Sequence, residues 1–160
     1  MSFHWHYVIF PVFILILTII LIVYFYHRLP ADLAYHFKAD GSPDKWLSRE
    51  MTVIWTLVPQ ILLTLVAGAI TWGITKLGYL FRQTVSTGIK SENILSLMGN
   101  MVALPQIILC FAMADIFSYN SNQIHLMPIW LFALIVLLLS SVFLGIFFIR
   151  TIRQAWRPNQ

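Results

Sequence analysis

Charged residues are scarce in this sequence. Asp, Glu, Lys and Arg make up only 10% of its 160 residues, whereas hydrophobic residues make up 59%. Ordinary soluble domains contain about 25% charged residues, and a soluble fold of this composition would expose large apolar patches. The sequence therefore predicts a single membrane domain over residues 1–160, with the lipid bilayer as its main surroundings.

Motifs for chemistry are also lacking. Cys110 is the one cysteine, so no intramolecular disulfide is available. The net charge of +4 is small and scattered, which excludes a nucleic-acid footprint. No Ser-His-Asp spacing, phosphate loop or cysteine cluster is present, and His36 with Asp40 and Asp44 is too nonspecific a spacing for a metal site. We expect a protein that is not an enzyme, with no catalytic residue, no cofactor and no metal.

Four apolar segments are long enough to cross a bilayer, which takes about 20 residues in a helix. Three of them contain no charge, and the third contains only Asp115. The first is expected to be a retained span rather than a cleaved signal peptide, because no Lys or Arg precedes it. The sequence thus predicts an all-α integral membrane protein, a four-helix transmembrane bundle. The segments are Tyr7–Tyr26, Met51–Thr75, Met98–Ser118 and Leu126–Ile149.

The distribution of basic residues predicts an orientation. Six of the ten Lys and Arg residues lie on the side of the two termini, and four lie in the loop between the first two spans. By the positive-inside rule, both termini are expected in the cytoplasm and the loop outside the cell (plasma) membrane. The six residues are Lys76, Arg82, Lys90, Arg150, Arg153 and Arg157; the four are Arg28, Lys38, Lys45 and Arg49.

The loop Leu29–Glu50 has the composition of an ordered segment. Pro30 stops the first helix, and Asp40-Gly41 is a strong turn signal. An extended run over Tyr35–Lys38 before that turn indicates a short hairpin on the membrane surface, with Trp46 as an interfacial anchor.

Within this loop, Leu-Pro is followed by His-Phe and then by Gly, Pro-Asp and Trp. The pattern resembles a prokaryotic membrane family called domain of unknown function 1648, whose signature is roughly Leu-Pro, Ile-Pro, His-Phe-Asn, Gly, Asp, Trp and Lys. The family includes the N-terminal part of immunity proteins that protect bacilli from a sporulation-delaying toxin. Matching positions are Leu29, Pro30, His36, Phe37, Gly41, Pro43, Asp44 and Trp46.

The sequence departs from that pattern at three positions. Ala34 replaces the second proline, Lys38 replaces the asparagine, and Arg49 replaces the lysine. The resemblance covers the first two spans and their loop, and the four-span chain is similar to a shortened relative. It implies an outward loop with a recognition role, for which the matching residues and Arg49 are the candidates.

Asp115 is the one ionisable residue inside a span, and such residues are functional candidates. Two interpretations stay open: a structural ion pair that ties the loop to the bundle, or a ligand or proton site beneath the loop. The basic and histidine side chains on the same membrane face are Arg28, His36, Lys38, Arg49 and His125.

Two further patterns concern helix packing. Small residues four apart predict close helix contacts at Ala69 with Gly73, Gly99 with Ala103, and Ser141 with Gly145. Val-Pro-Gln-Ile-Leu-Leu and Leu-Pro-Gln-Ile-Ile-Leu recur on successive spans. They fit either an inverted repeat or proline kinks whose freed backbone groups are bound by the glutamine.

Three functions remain open. The first is a non-enzymatic, immunity-like recognition or signalling protein whose outward loop binds a toxin, peptide or membrane protein. The second is an accessory subunit of a larger membrane complex, and the third is a small proton-coupled transporter that uses Asp115. The sequence defines neither the partner nor the oligomeric state.

Overall fold

The computed structural model describes residues 7–38, 41–81 and 97–155 of the chain. In chain order these contain α1 (Ile9–Tyr26), β1 (Asp32–Phe37), β2 (Pro43–Ser48), α2 (Arg49–Phe81), α3 (Ala103–Asn122) and α4 (Ile129–Ala155). Four residues used in the predictions above lie outside the described ranges: Asp40, Arg82, Lys90 and Arg157.

Within the described ranges, four helices are long and apolar enough to cross a membrane. The second span begins at Arg49 rather than Met51, because the Ser48 hydroxyl accepts a hydrogen bond from the Met51 N–H at 3.4 Å and caps the helix. The four candidate spans are Ile9–Tyr26, Arg49–Gly73, Leu97–Asn122 and Ile129–Arg150.

The third span is interrupted near its start. Residues 97–101 are helical and join α3 through a turn at Val102. Pro105 has no N–H to offer the carbonyl of Met101, four residues earlier, which accounts for the break.

α3 is the central helix of the bundle. It packs against α1, α2, α4 and β1. Of its span, 33% is buried, against 11%, 11% and 6% for the first, second and fourth spans. The outer surfaces of those three spans are therefore mostly apolar side chains, as lipid contact requires.

The repeated Pro-Gln pairs meet at the crossing of α2 and α3. The Gln60 Nε2 donates to the carbonyl of Gln106 at 3.0 Å, and the Gln106 Nε2 donates to the carbonyl of Gln60 at 3.0 Å. Both side chains are fully buried. Pro59 and Pro105 leave the carbonyls of Trp55 and Met101 without their helical hydrogen bonds. The glutamines bind other carbonyls, so they do not replace the bonds that the prolines remove. They form a reciprocal bridge between helices.

One of the three small-residue pairs packs as predicted. A Cβ on Gly99 would collide with the Tyr7 carbonyl and the Thr71 side chain, and Ala103 is buried. The prediction is wrong for Ala69 and for Ser141 with Gly145, which are exposed. α2 approaches its neighbours through Ala67 and Thr71 instead, because these face the bundle.

The predicted hairpin is present. β1 and β2 pair antiparallel, with Leu33 opposite Leu47 and Ala34 opposite Trp46. β1 starts earlier than the predicted run Tyr35–Lys38 and ends before Lys38, whose N–H donates to the Ser42 carbonyl at 2.9 Å and opens the turn. Gly41 has a φ of 83°, a left-handed conformation that glycine adopts without strain.

Candidate functional site

The hairpin, defined as residues 32–48, rests on α3 through an apolar core. Leu29 and Leu33 pack with Met113 and Phe117 of α3, and all four are at most 5% exposed. Leu29 is one of the predicted motif residues, and its role here is packing. The core ties the hairpin to the central helix of the bundle.

Asn120 makes a second connection between α3 and the hairpin. Its Oδ1 accepts a hydrogen bond from the Ala34 N–H, and its Nδ2 donates to the Ala34 carbonyl, both at 2.9 Å. The side-chain amide therefore binds the outer edge of β1 as a neighbouring strand would. It satisfies two strand groups that would otherwise be unpaired.

Arg49 joins the hairpin to the end of α1. Its Nη1 donates to the carbonyls of Tyr26 and Leu29 at 3.3 and 3.4 Å, and its guanidinium lies 4.4 Å from the centre of the Tyr26 ring. A cation at a helix C-terminus is favoured by the helix dipole. Arg49 therefore holds the start of α2 against the end of α1.

Asp115 binds the turn between α3 and α4. Its Oδ1 accepts a hydrogen bond from the Leu126 N–H at 2.7 Å, and its Oδ2 lies 3.1 Å from the His125 Nδ1. Of the basic side chains predicted on this face, His125 is the one that Asp115 contacts among the described residues. The geometry supports the structural interpretation of Asp115, since each oxygen has a partner within the fold.

An aromatic cluster covers this Asp115 contact. The His125 ring stacks on Tyr119, with centroids 4.5 Å apart, and the Phe37 ring meets both edge-on at 4.5 and 4.6 Å. Phe37 is thus the motif residue that packs the hairpin tip against the α3–α4 turn. The cluster and Asn120 together attach β1 at two points along its length.

The opposite side of the hairpin is open. β1 has an extra residue at Tyr35 and β2 has one at Asp44, so the pairing skips on both strands. These irregularities place the His36 Nδ1 3.2 Å from the Asp44 Oδ2. Both side chains and Trp46, which is 57% exposed, remain accessible. Bulges of this kind reorient side chains and are common near functional sites.

The predicted recognition residues fall into two groups. Leu29, Phe37 and Arg49 face the bundle, whereas the exposed group includes the hairpin's polar and turn positions. That second group is Pro30, His36, Gly41, Asp44 and Trp46, with Pro43 partly exposed.

No sequence motif predicts the roles of Asn120 and Tyr119. Both lie in the polar stretch at the end of α3, where a single asparagine resembles an ordinary helix-end residue. Ala34, which makes both hydrogen bonds with the Asn120 side chain, lies 86 residues away in the chain. No local pattern points to such a contact.

Four long apolar helices with one polar hairpin at a helix end are typical of a multi-pass membrane protein. Residues 13–58, from α1 through the hairpin into α2, match the model of the family described as Domain of unknown function (DUF1648). No curated protein and no solved structure matches the chain. Asp115, Asn120 and His125 lie outside the matched region.

Proposed function

We propose that this chain is a plasma-membrane protein whose hairpin faces outward and recognises a protein partner without carrying out chemistry. The observation that carries the proposal is the asymmetry of the hairpin. One edge is bound by Asn120, while the other displays Trp46 with 57% of its surface exposed. A rigid, one-sided display of this kind lowers the entropy lost on binding.

Tryptophan is a suitable centre for such a surface, because aromatic residues supply much of the binding energy at protein interfaces. The adjoining His36–Asp44 pair provides polar groups beside it. An immunity-like role, with a toxin or peptide as the partner, is the form of recognition that the family resemblance implies. A membrane protein that displays its own extended segment is an equally suitable partner.

An accessory-subunit role is the second candidate. It is favoured by α4, of whose span only 6% is buried. A helix attached through one face has room for another protein on the others. Copurification in fixed stoichiometry with one large complex would support this role over transient recognition.

The test compares two exposed tryptophans. Trp46→Ala is expected to abolish capture of the partner from mild-detergent extracts, with unchanged amounts of the variant in the membrane. Trp130→Ala is the matched control, because Trp130 is 67% exposed but lies at the start of α4, outside the hairpin. Capture that survives Trp46→Ala, or that is lost equally in both variants, would contradict recognition by the hairpin.

A further inference from the structure

The hairpin has two outer edges, one formed by β1 and the other by β2. On β1, the Ala34 N–H and carbonyl both point outward, where the Asn120 amide binds them. In an antiparallel ladder, a residue whose groups point outward sits opposite a residue whose groups also point outward. Ala34 is opposite Trp46, so the Trp46 N–H and carbonyl point to the outer edge of β2. Among the described residues, neither group has a hydrogen-bond partner, and this outer edge of β2 is called the free edge.

The neighbouring bonds support this alternation. Three residues before Ala34, the carbonyl of Ala31 accepts a hydrogen bond from the Arg49 N–H at 2.8 Å, across the hairpin. Positions 31 and 33 therefore point inward, and positions 32 and 34 point outward. Along the free edge, Asp44, Lys45 and Trp46 are all exposed.

We propose that this free edge pairs antiparallel with β2 of a second copy of the chain, centred on Trp46. The inference rests on the proposed recognition role and names its partner. The Trp46 N–H of each copy donates to the Trp46 carbonyl of the other. One twofold axis generates both contacts, as in an isologous dimer.

Charge selects this register from its neighbours. With Trp46 opposite Trp46, Lys45 faces Leu47 and Asp44 faces Ser48 of the second copy, so no like charges meet. A slip of two residues one way places Lys45 opposite Lys45. A slip of two the other way brings Lys45 towards Arg49 and Asp44 towards Glu50. Like charges directly opposite each other destabilise a strand pair.

Slips of one residue are excluded by the backbone. They would place the Trp46 N–H and carbonyl opposite Lys45 or Leu47 of the second copy. The N–H and carbonyl of Leu47 point towards β1 within the hairpin, so they are turned away from an added strand. At the other end, Pro43 offers no N–H for an added strand. The pairing is therefore short and limited to the part of β2 around Trp46.

The test is disulfide cross-linking in membranes, in a Cys110→Ala background that removes the one native cysteine. Trp46→Cys is expected to form homodimers on mild oxidation, because directly opposite hydrogen-bonded residues have Cα atoms about 5.5 Å apart, within disulfide range. Lys45→Cys or Leu47→Cys alone is expected to give several-fold less dimer. Differently tagged Lys45→Cys and Leu47→Cys chains, expressed together, are expected to cross-link to each other.

The mixed pair retains Trp46, so it decides the matter even where Trp46→Cys folds poorly. A strongest homodimer at position 45 or 47, or no cross-link in the mixed pair, overturns the pairing centred on Trp46. If the wild-type chain captures a different protein and Trp46→Ala does not, the recognition role would then still stand. If neither the cross-link nor this capture is observed, the recognition role falls as well.

Discussion

A single asparagine side chain acts as the strand that β1 lacks on its outer edge. Asn120 offers one acceptor and one donor, spaced as a peptide group offers them, and binds both polar groups of Ala34. Ala34 itself is fully buried. Unpaired backbone groups at such a position are costly, which explains why an amide rather than an apolar residue is placed there.

Asn120→Ala is expected to lower the free energy of unfolding by about 1–3 kcal/mol, because it leaves two buried backbone groups without partners. The hairpin should also become more sensitive to protease while the helices remain intact. Thermal unfolding in detergent and limited proteolysis measure the two effects. Asn122→Ala is the control, since Asn122 is exposed on the same helix; equal effects of the two substitutions would refute the role of Asn120.

Substitutions at Asp115 test how much its hydrogen bonds contribute to stability. Asp115→Ala is expected to cost about 1.5–3 kcal/mol of stability, the range for hydrogen bonds to charged groups. Asp115→Asn should cost less, since an amide oxygen still accepts from the Leu126 N–H. Thermal unfolding in detergent ranks the unsubstituted protein and the two variants by stability. Proton flux in vesicles that Asp115→Asn abolishes at unchanged stability would instead support the transporter.

Between α2 and α3, two buried glutamines form a polar bridge. Gln60 and Gln106 each donate to the other's backbone carbonyl, and Gln106 also donates to the Thr64 hydroxyl at 2.9 Å. Their Oε1 atoms have no hydrogen-bond partner among the described residues. The bridge therefore combines three hydrogen bonds with two side-chain oxygens that lack a partner among these residues.

Gln60→Leu and Gln106→Leu are each expected to destabilise the protein by about 0.6–2 kcal/mol, the range for polar contacts between membrane helices. The double variant should lose about the sum of the two single losses, because each glutamine donates to a backbone carbonyl that the other substitution leaves in place. A double-mutant cycle from unfolding in detergent tests this additivity. A loss in the double variant that departs clearly from this sum would contradict the independence of the two bonds.

Elements defined by local signals were predictable here. Four charge-poor runs marked the spans, Pro30 marked the end of the first helix, and Gly41 marked the turn of the hairpin. The attachment of that hairpin was not predictable, because Ala34 and Asn120 are separated by 86 residues and Gln60 and Gln106 by 46. Which small residues face inward also depended on helix rotation, so Gly99 packed while Gly145 did not.

At the scale of the whole molecule, the contacts join both loops of one end into a single unit. The hairpin between α1 and α2 meets the α3–α4 turn through Phe37 and His125. Spans that alternate in direction place these loops on one side of a bilayer and the end of α4 on the other. In the proposed orientation, which the positive-inside count favours, the exposed Trp46 lies where a partner outside the cell can reach it.

Cysteine labelling of intact cells tests this account most directly. In a Cys110→Ala background, Lys45→Cys in the hairpin and Arg153→Cys at the far end of α4 are both exposed positions. A membrane-impermeant maleimide is expected to label Lys45→Cys in intact cells and Arg153→Cys only after permeabilisation. Labelling in the reverse order, or of both sites in intact cells, would contradict a membrane-spanning bundle with an outward hairpin.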